Sequence, residues 1–198
     1  MMIENATLLD SGFMEAALTC FSTYDFEEIT IHHISNFTVV PPTMLVTEFG
    51  DKTQLFAAVL RWYVDNDFEL TLRQLRKARR PVGAILSFFL VVSERSVTSG
   101  GGGARLVFTT AISLATRNPS FASIVSDAMQ KLETFFFDCV AEGPETSDGM
   151  TRAPAEQIVK LLIGSVSALP VLIRADGRHE TVDQFIKSVE LLLESKFD

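Results

Sequence analysis

Lysine and arginine are absent from the first 51 residues, a stretch that carries eight carboxylates: Glu4, Asp10, Glu15, Asp25, Glu27, Glu28, Glu48 and Asp51. The other 17 of the 25 acidic side chains are matched by all 17 basic ones in residues 52–198, so the net charge of −8 belongs to the N-terminal quarter. Proteins hold nucleic acid largely by neutralising phosphates with clustered cations, and this quarter has none to offer. A secretory leader is unsupported, because the N-terminus lacks a basic segment ahead of an apolar one. No run of about 18 apolar residues free of charge occurs, and the stretch Ala84 to Val92 spans only nine residues. The expectation is a cytoplasmic protein with no membrane partner.

Chemistry-bearing patterns are equally scarce. The two cysteines, Cys20 and Cys139, lie far apart within helical apolar patterns and have no metal-type neighbours, which reads as reduced core thiols. The three histidines are His32, His33 and His179. His32 and His33 are adjacent, so on a helix they point about 100° apart and do not share a metal; they read as solvated. Gly100 to Gly103 are not followed by the Lys-Ser/Thr ending of a phosphate loop, and they read as a flexible connection. No Ser-His-Asp order and no paired-carboxylate motif stands out. The expectation is therefore no metal, no cofactor and no enzymatic activity.

What is there is helical. The chain is 47% hydrophobic and 21% charged, ordinary for a folded domain. Apolar residues recur at three and four, punctuated by Pro and Gly, and no strand-like alternation exceeds four residues. The predicted fold is all-α, with nine segments: about 4–24, a short helix capped by Thr30, 42–48, a longer helix from Lys52 stopped by Pro81, then 81–96, 104–116, 120–140, 154–174 and 180–196. Pro170 is expected to kink or divide the eighth segment. Two domains are expected, a head over 1–51 and a body over 52–198.

Residues 13–55, FMEAALTCFSTYDFEEITIHHISNFTVVPPTMLVTEFGDKTQL, resemble the helix-turn-helix head of the tetracycline-repressor (TetR) family without a gap. The family's apolar frame falls on Ala16, Ala17, Phe21, Phe26, Ile31, Ile34, Val40, Leu45 and Phe49, followed by Lys52 and Leu55. GGGGARLVFTTAISLATRNPSF and LLIGSVSALPVLIRADGRHETVDQFIKSVELLLES resemble the family's sixth-helix region and last two helices. The resemblance implies a homodimeric regulator whose variable C-terminal domain binds a small ligand and sets how two heads sit in successive major grooves. By family position, Thr30, Thr43, Val46, Thr47 and Lys52 are the DNA-facing residues.

The departures from that pattern concentrate where DNA would be met. Val39 stands where a turn glycine is usual and resists positive φ. Pro41 and Pro42 remove two N–H donors from the start of the reading helix, although Pro42 is acceptable at the first helical position. Val46 suits only a thymine methyl, and Glu48 accepts only from cytosine N4. Lys52 is left as the sole cation against eight carboxylates. The expectation is a head that binds DNA weakly or not at all near physiological salt, leaving two routes: an atypical operator bound weakly in the repressor manner, or coregulation through a protein partner. The alternative is a ligand-binding protein or an enzyme built on the same fold.

Arg73, Arg76, Lys77 and Arg80, with Arg79 beside them, follow helical spacing and read as cations complementing a helix C-terminus. Phe88, Phe89, Phe108, Phe121 and Phe135 to Phe137 concentrate aromatic surface in the body. Three consecutive phenylalanines cannot all face one side of a helix. A mainly apolar ligand is expected among Phe88, Phe89, Phe108 and Phe137, oriented by Arg105, Thr109 and Ser113. Small residues beside large ones place the two-fold contact on Leu161, Leu162, Ser165, Ala168 and Leu169, with Ile186, Val189 and Leu193 from the last helix.

Overall fold

The computed structural model describes residues 10–78, 80–97, 103–141, 155–176 and 179–197, with the side chains of 94–97, 105, 176, 179, 196 and 197 outside the description. Every regular element among the described residues is helical. The head is α1 (Ser11–Thr23), α2 (Ile31–Thr38) and α3 (Pro42–Phe49). The body is α4 (Lys52–Tyr63), a π-helical turn (Val64–Phe68), α5 (Glu69–Leu75), α6 (Pro81–Val97), α7 (Gly103–Ser113), α8 (Pro119–Ala141), α9 (Ala155–Asp176) and α10 (His179–Phe197). Counting α4, the π turn and α5 as one rod recovers the nine predicted segments.

Local chemistry sets these boundaries. Asp10 accepts from the Phe13 N–H at 2.7 Å to start α1, and Asp51 accepts from the Gln54 N–H at 2.8 Å to start α4. Thr30 starts α2 through a reciprocal box: its Oγ1 accepts from the His33 N–H, and His33 Nδ1 accepts from the Thr30 N–H, both at 3.3 Å. His33 is thus a cap and not merely a solvated side chain. Pro42 sits in the first turn of α3, which has no side-chain cap, and Gly50 ends it at φ 84°. Val39 joins α2 to α3 at φ 57°, the left-handed conformation that its β-branch opposes.

A continuous core runs through head and body. In the head, α1 buries Phe13, Met14, Ala17 and Phe21 against Ile34 of α2, Leu45 and Phe49 of α3, and Leu55 and Phe56 of α4. Phe56 is the pivot: it meets Phe21 at 4.8 Å, Phe26 at 5.0 Å and Phe121 of α8 at 5.0 Å between ring centroids. These edge and tilted contacts tie the head to the body. A second aromatic chain, Tyr63–Phe68–Phe88–Phe136, fills the body. Gly103 opens α7 directly on the Tyr63 ring; a Cβ there would lie 2.3 Å from ring carbons. That glycine is a packing requirement rather than part of a flexible connection, while Gly100 to Gly102 and Arg79 lie outside the described residues.

Of the two alternatives expected at Pro170 of α9, division is excluded, since the helix is continuous from Ala155 to Asp176. By length and composition alone, its Ala155–Ala175 span is long and apolar enough to cross a membrane, with a mean hydropathy of 1.8. Glu156, Lys160 and Arg174 interrupt the span, so a search for charge-free runs passes over it. In this fold α9 packs on α8, α6 and α10. Both cysteines are buried and reduced, and burial pushes the Cys20 thiol up to about 11.

Candidate functional site

The reading helix α3 turns Leu45 and Phe49 inward and leaves Thr43, Met44, Val46, Thr47 and Glu48 exposed. The Thr47 hydroxyl donates to the Thr43 carbonyl at 2.8 Å, one turn back along its own helix. Thr30 is engaged as the α2 cap. Lys52, expected at a phosphate, points elsewhere: its ammonium donates to the Phe26 carbonyl at 2.7 Å and stands 4.4 Å from the centre of the Phe26 ring. The head's lone cation is thereby committed to holding the α1–α2 loop onto the start of α4. No spacing argument would reveal this engagement of Lys52, because its partner is a backbone carbonyl 26 residues away.

Around that helix the surface is apolar and acidic. Val39 is 88% exposed, and Phe37, Met44 and Val46 are each more than a third exposed. Tyr24 stacks on His33 and meets Phe37 edge-on at 5.9 Å. Asp10 and Asp51 are helix caps and Asp25 faces Arg174 at 3.5 Å. Glu15, Glu27, Glu28 and Glu48 are exposed and make no ion pair among the described residues.

Cavities among the described residues include the following. One of about 530 Å³ lies where the α1–α2 loop meets the body, floored by Phe21, Phe26, Phe56 and Leu106 and rimmed by Asp25, Glu27, Glu28, Arg117 and Arg174. One of about 370 Å³ lies between α7 and α9, against Ile112, Pro170 and Val171. A groove of about 460 Å³ separates α5 from α8. Of the predicted ligand residues, Thr109 and Ser113 line both the junction and α7–α9 cavities. Phe88, Phe89 and Phe108 are fully buried core side chains and line none of the three, whereas Phe137 is 42% exposed on the outside of α8. The Arg105 side chain lies outside the described residues. The aromatics were needed to fill the space between helices, and that use precedes any ligand.

A bent α4–α5 rod behind a three-helix head, with α8 to α10 closing the body, has close counterparts among solved structures. A TetR-family regulator from Cytophaga hutchinsonii superposes with a TM-score of 0.76 at 12% identity, covering 94% of this chain and 93% of its own. The chain has the TetR fold. A putative transcriptional regulator from Saccharomonospora viridis, solved in complex with choline, gives a TM-score of 0.74 at 14% identity, covering 92% and 94%. In sequence, the chain is 26% identical over 128 residues to the HTH-type transcriptional repressor BdcR of Escherichia coli, a match spanning 65% of this chain and 64% of that repressor. No protein-family profile matches the chain.

Within this TetR fold, an ion-pair ladder crosses from the α4–α5 rod to α8. Lys131 lies 3.0 Å from Asp65, 3.1 Å from Glu69 and 3.4 Å from Asp127, and Asp127 also holds Arg61 at 2.9 Å. Arg73 pairs with Glu69, and Arg76 with Asp138 of α8. Burial alone would lower the Lys131 ammonium, but the hydrogen bonds it donates to Asp65 and Glu69, with the charges of Asp127 and Asp65, hold it above its ordinary value. Hydrogen bonds from Lys131 and Arg73 hold the Glu69 carboxyl below the usual range. Two members of the predicted basic stripe, Arg73 and Arg76, are thus bound to carboxylates, so the stripe is not an open dock.

Of the residues expected at a two-fold contact, Leu161 is exposed and Ser165 and Ala168 are half-buried, whereas the others lie inside the protomer. Leu162 and Leu169 of α9, and Ile186, Val189 and Leu193 of α10, are buried within the protomer. They close the core against α6 and α8. The exposed residues along α9 include Leu161, Gly164, Val171 and Ala175, with Ser165 and Ala168 half-buried beside them. Leu161 is 49% exposed and Val171 56%, and α10 adds Leu191 at 60%.

Proposed function

We infer that the chain is a dimeric, ligand-responsive transcriptional regulator of TetR type whose head has given up gripping DNA and meets a protein instead. The engagement of Lys52 with Phe26 carries this reading, because it removes the one cation available to a phosphate from a head already in carboxylate excess. Two prolines and a back-bonded Thr47 leave the reading helix with few donors. The surface that remains, Phe37, Val39, Met44 and Val46 beside Glu48, suits a partner protein that is apolar at its centre and basic at its rim.

The body fits the other half of the reading. An apolar outer strip on α9 and α10 suits a second copy, giving a homodimer, and the similarity to a choline-binding regulator supports a small organic ligand, mainly apolar in contact, for the body. Both roles belong to an intracellular regulator without catalysis. Fluorescence anisotropy of the purified protein with labelled DNA from its own promoter region tests the central claim. At roughly 150 mM salt no sub-micromolar binding is expected; tight binding that weakens steeply with added salt would overturn it.

A further inference from the structure

The junction cavity, which Thr109 and Ser113 also line, has the features of an effector site, and an occupant there rests on the reading of the body as ligand-binding. Its floor is aromatic, its rim is charged, and its inner wall includes Thr110. Thr110 is 1% exposed, and its Oγ1 has no hydrogen-bond partner. A buried hydroxyl is normally satisfied, and leaving one unpaired destabilises a fold unless something else supplies the missing bond. Around the mouth, Asp25 and Arg174 face each other at 3.5 Å and largely cancel. That leaves Glu27 and Glu28 against Arg117, an excess of one negative charge, within a head that holds all of the chain's excess acidity. An anion drawn to the two arginines would meet three carboxylates, whereas a cation meets a favourable field.

We propose that this cavity binds an organic monocation with an apolar body and an ether or hydroxyl oxygen, the oxygen accepting from Thr110 and the cationic end lying toward Glu27 and Glu28. The apolar body rests on Phe21, Phe26 and Phe56. Such an occupant touches the α1–α2 loop of the head and α7 of the body at once. It therefore fixes how the head sits on the body, a regulatory input independent of whether the head meets protein or DNA.

Three probes sharing a phenoxy group test this by calorimetry on the full chain: phenoxyethyl-trimethylammonium, neutral phenoxyethanol and anionic phenoxyacetate. The cation is expected to bind at least tenfold tighter than the other two. Equal binding of the three, or preference for phenoxyacetate, would refute the proposal. The double variant Glu27→Gln/Glu28→Gln should lose most of that preference, whereas Glu15→Gln, acidic and in the head but not at the cavity, should keep it; loss in both would mean a diffuse field and no site. Thr110→Val supplies a readout of opposite sign. Exchanging an unpaired hydroxyl for a methyl should raise the Tm of the empty protein by about 2–4 °C while weakening the cation about tenfold. A variant that binds the cation as tightly as the parent would show that Thr110 takes no part and would sink the assignment.

Discussion

At the scale of single residues, the head combines a buried apolar frame with an exposed surface of apolar and acidic side chains. Val39 is the sharpest case, since it holds φ 57° with its side chain 88% exposed and gains no burial in return. Left-handed backbone opposes a β-branched side chain by about 1–2 kcal/mol, and strain of this kind persists where the surroundings over-determine it. Val39→Gly is accordingly expected to stabilise the isolated protein by about 1 kcal/mol, read as a higher urea midpoint with an unchanged slope. An unchanged or lower midpoint would mean that the valine contributes a contact absent from this protomer. That Val39 resists its turn was legible from residue type. The engagement of Lys52 was not, because a lysine in a DNA-facing position and a lysine bonded to a distant carbonyl are identical in sequence.

At the scale of elements, periodicity placed nearly all of the helices, and the errors lie where a helix has two apolar faces. On α9 and α10 the large residues at Leu162, Leu169, Ile186, Val189 and Leu193 are core, and the outward strip lies beside them. A helix apolar all round does not declare which face looks inward; only the positions of α6 and α8 decide that. The ladder between the α4–α5 rod and α8 was invisible for a related reason, since Asp65 and Lys131 are 66 residues apart and meet only after both helices are packed. The π turn lies at its centre and carries Asp65 itself.

The ladder makes a pH prediction whose sign follows from its two shifted groups. Glu69 is held below its ordinary value of 4.5, so its contribution is present above that pH and fades as acid protonates the folded carboxyl. Lys131 is held above its ordinary value of 10.5, so its contribution is complete below that pH and fades only in stronger alkali. Between these limits the ladder is flat. Lys131→Met should lower stability by about 1 kcal/mol across the neutral range, because Asp65, Glu69 and Asp127 are then left facing one another. The difference between parent and variant should shrink below pH 4.5, as the Glu69 carboxylate becomes neutral. Thermal melts at several pH values check this, and a gap that widened in acid would contradict it.

At the scale of the whole molecule, the charge asymmetry and the apolar strip divide the surface between two kinds of contact. The acidic head is an unsuitable place for two copies to meet, since like charges oppose each other there, and its carboxylates keep that end of the molecule soluble. The α9–α10 face is the reverse: Leu161, Val171, Leu191 and Leu192 are exposed beside Gly164 and Ala168, which let a helix from another copy approach closely. A stable dimer buries about 1,200–2,000 Å² in total, and an antiparallel pair of two-helix faces is an appropriate size for that. The membrane-like hydropathy of α9 reflects a helix with apolar residues on both its core-facing and its exposed sides. Leu161→Glu/Val171→Glu places two carboxylates per protomer across the two-fold without touching the core. Sedimentation at micromolar concentration should give a dimer for the parent and a monomer of unchanged helicity for the variant. Leu162→Glu, one residue along, should instead unfold the protomer, because that side chain is 1% exposed. A folded, monomeric Leu162→Glu protein, or a parent that already sediments as a monomer, would show that the two faces of α9 have been assigned the wrong way round or that the strip serves something other than a second copy.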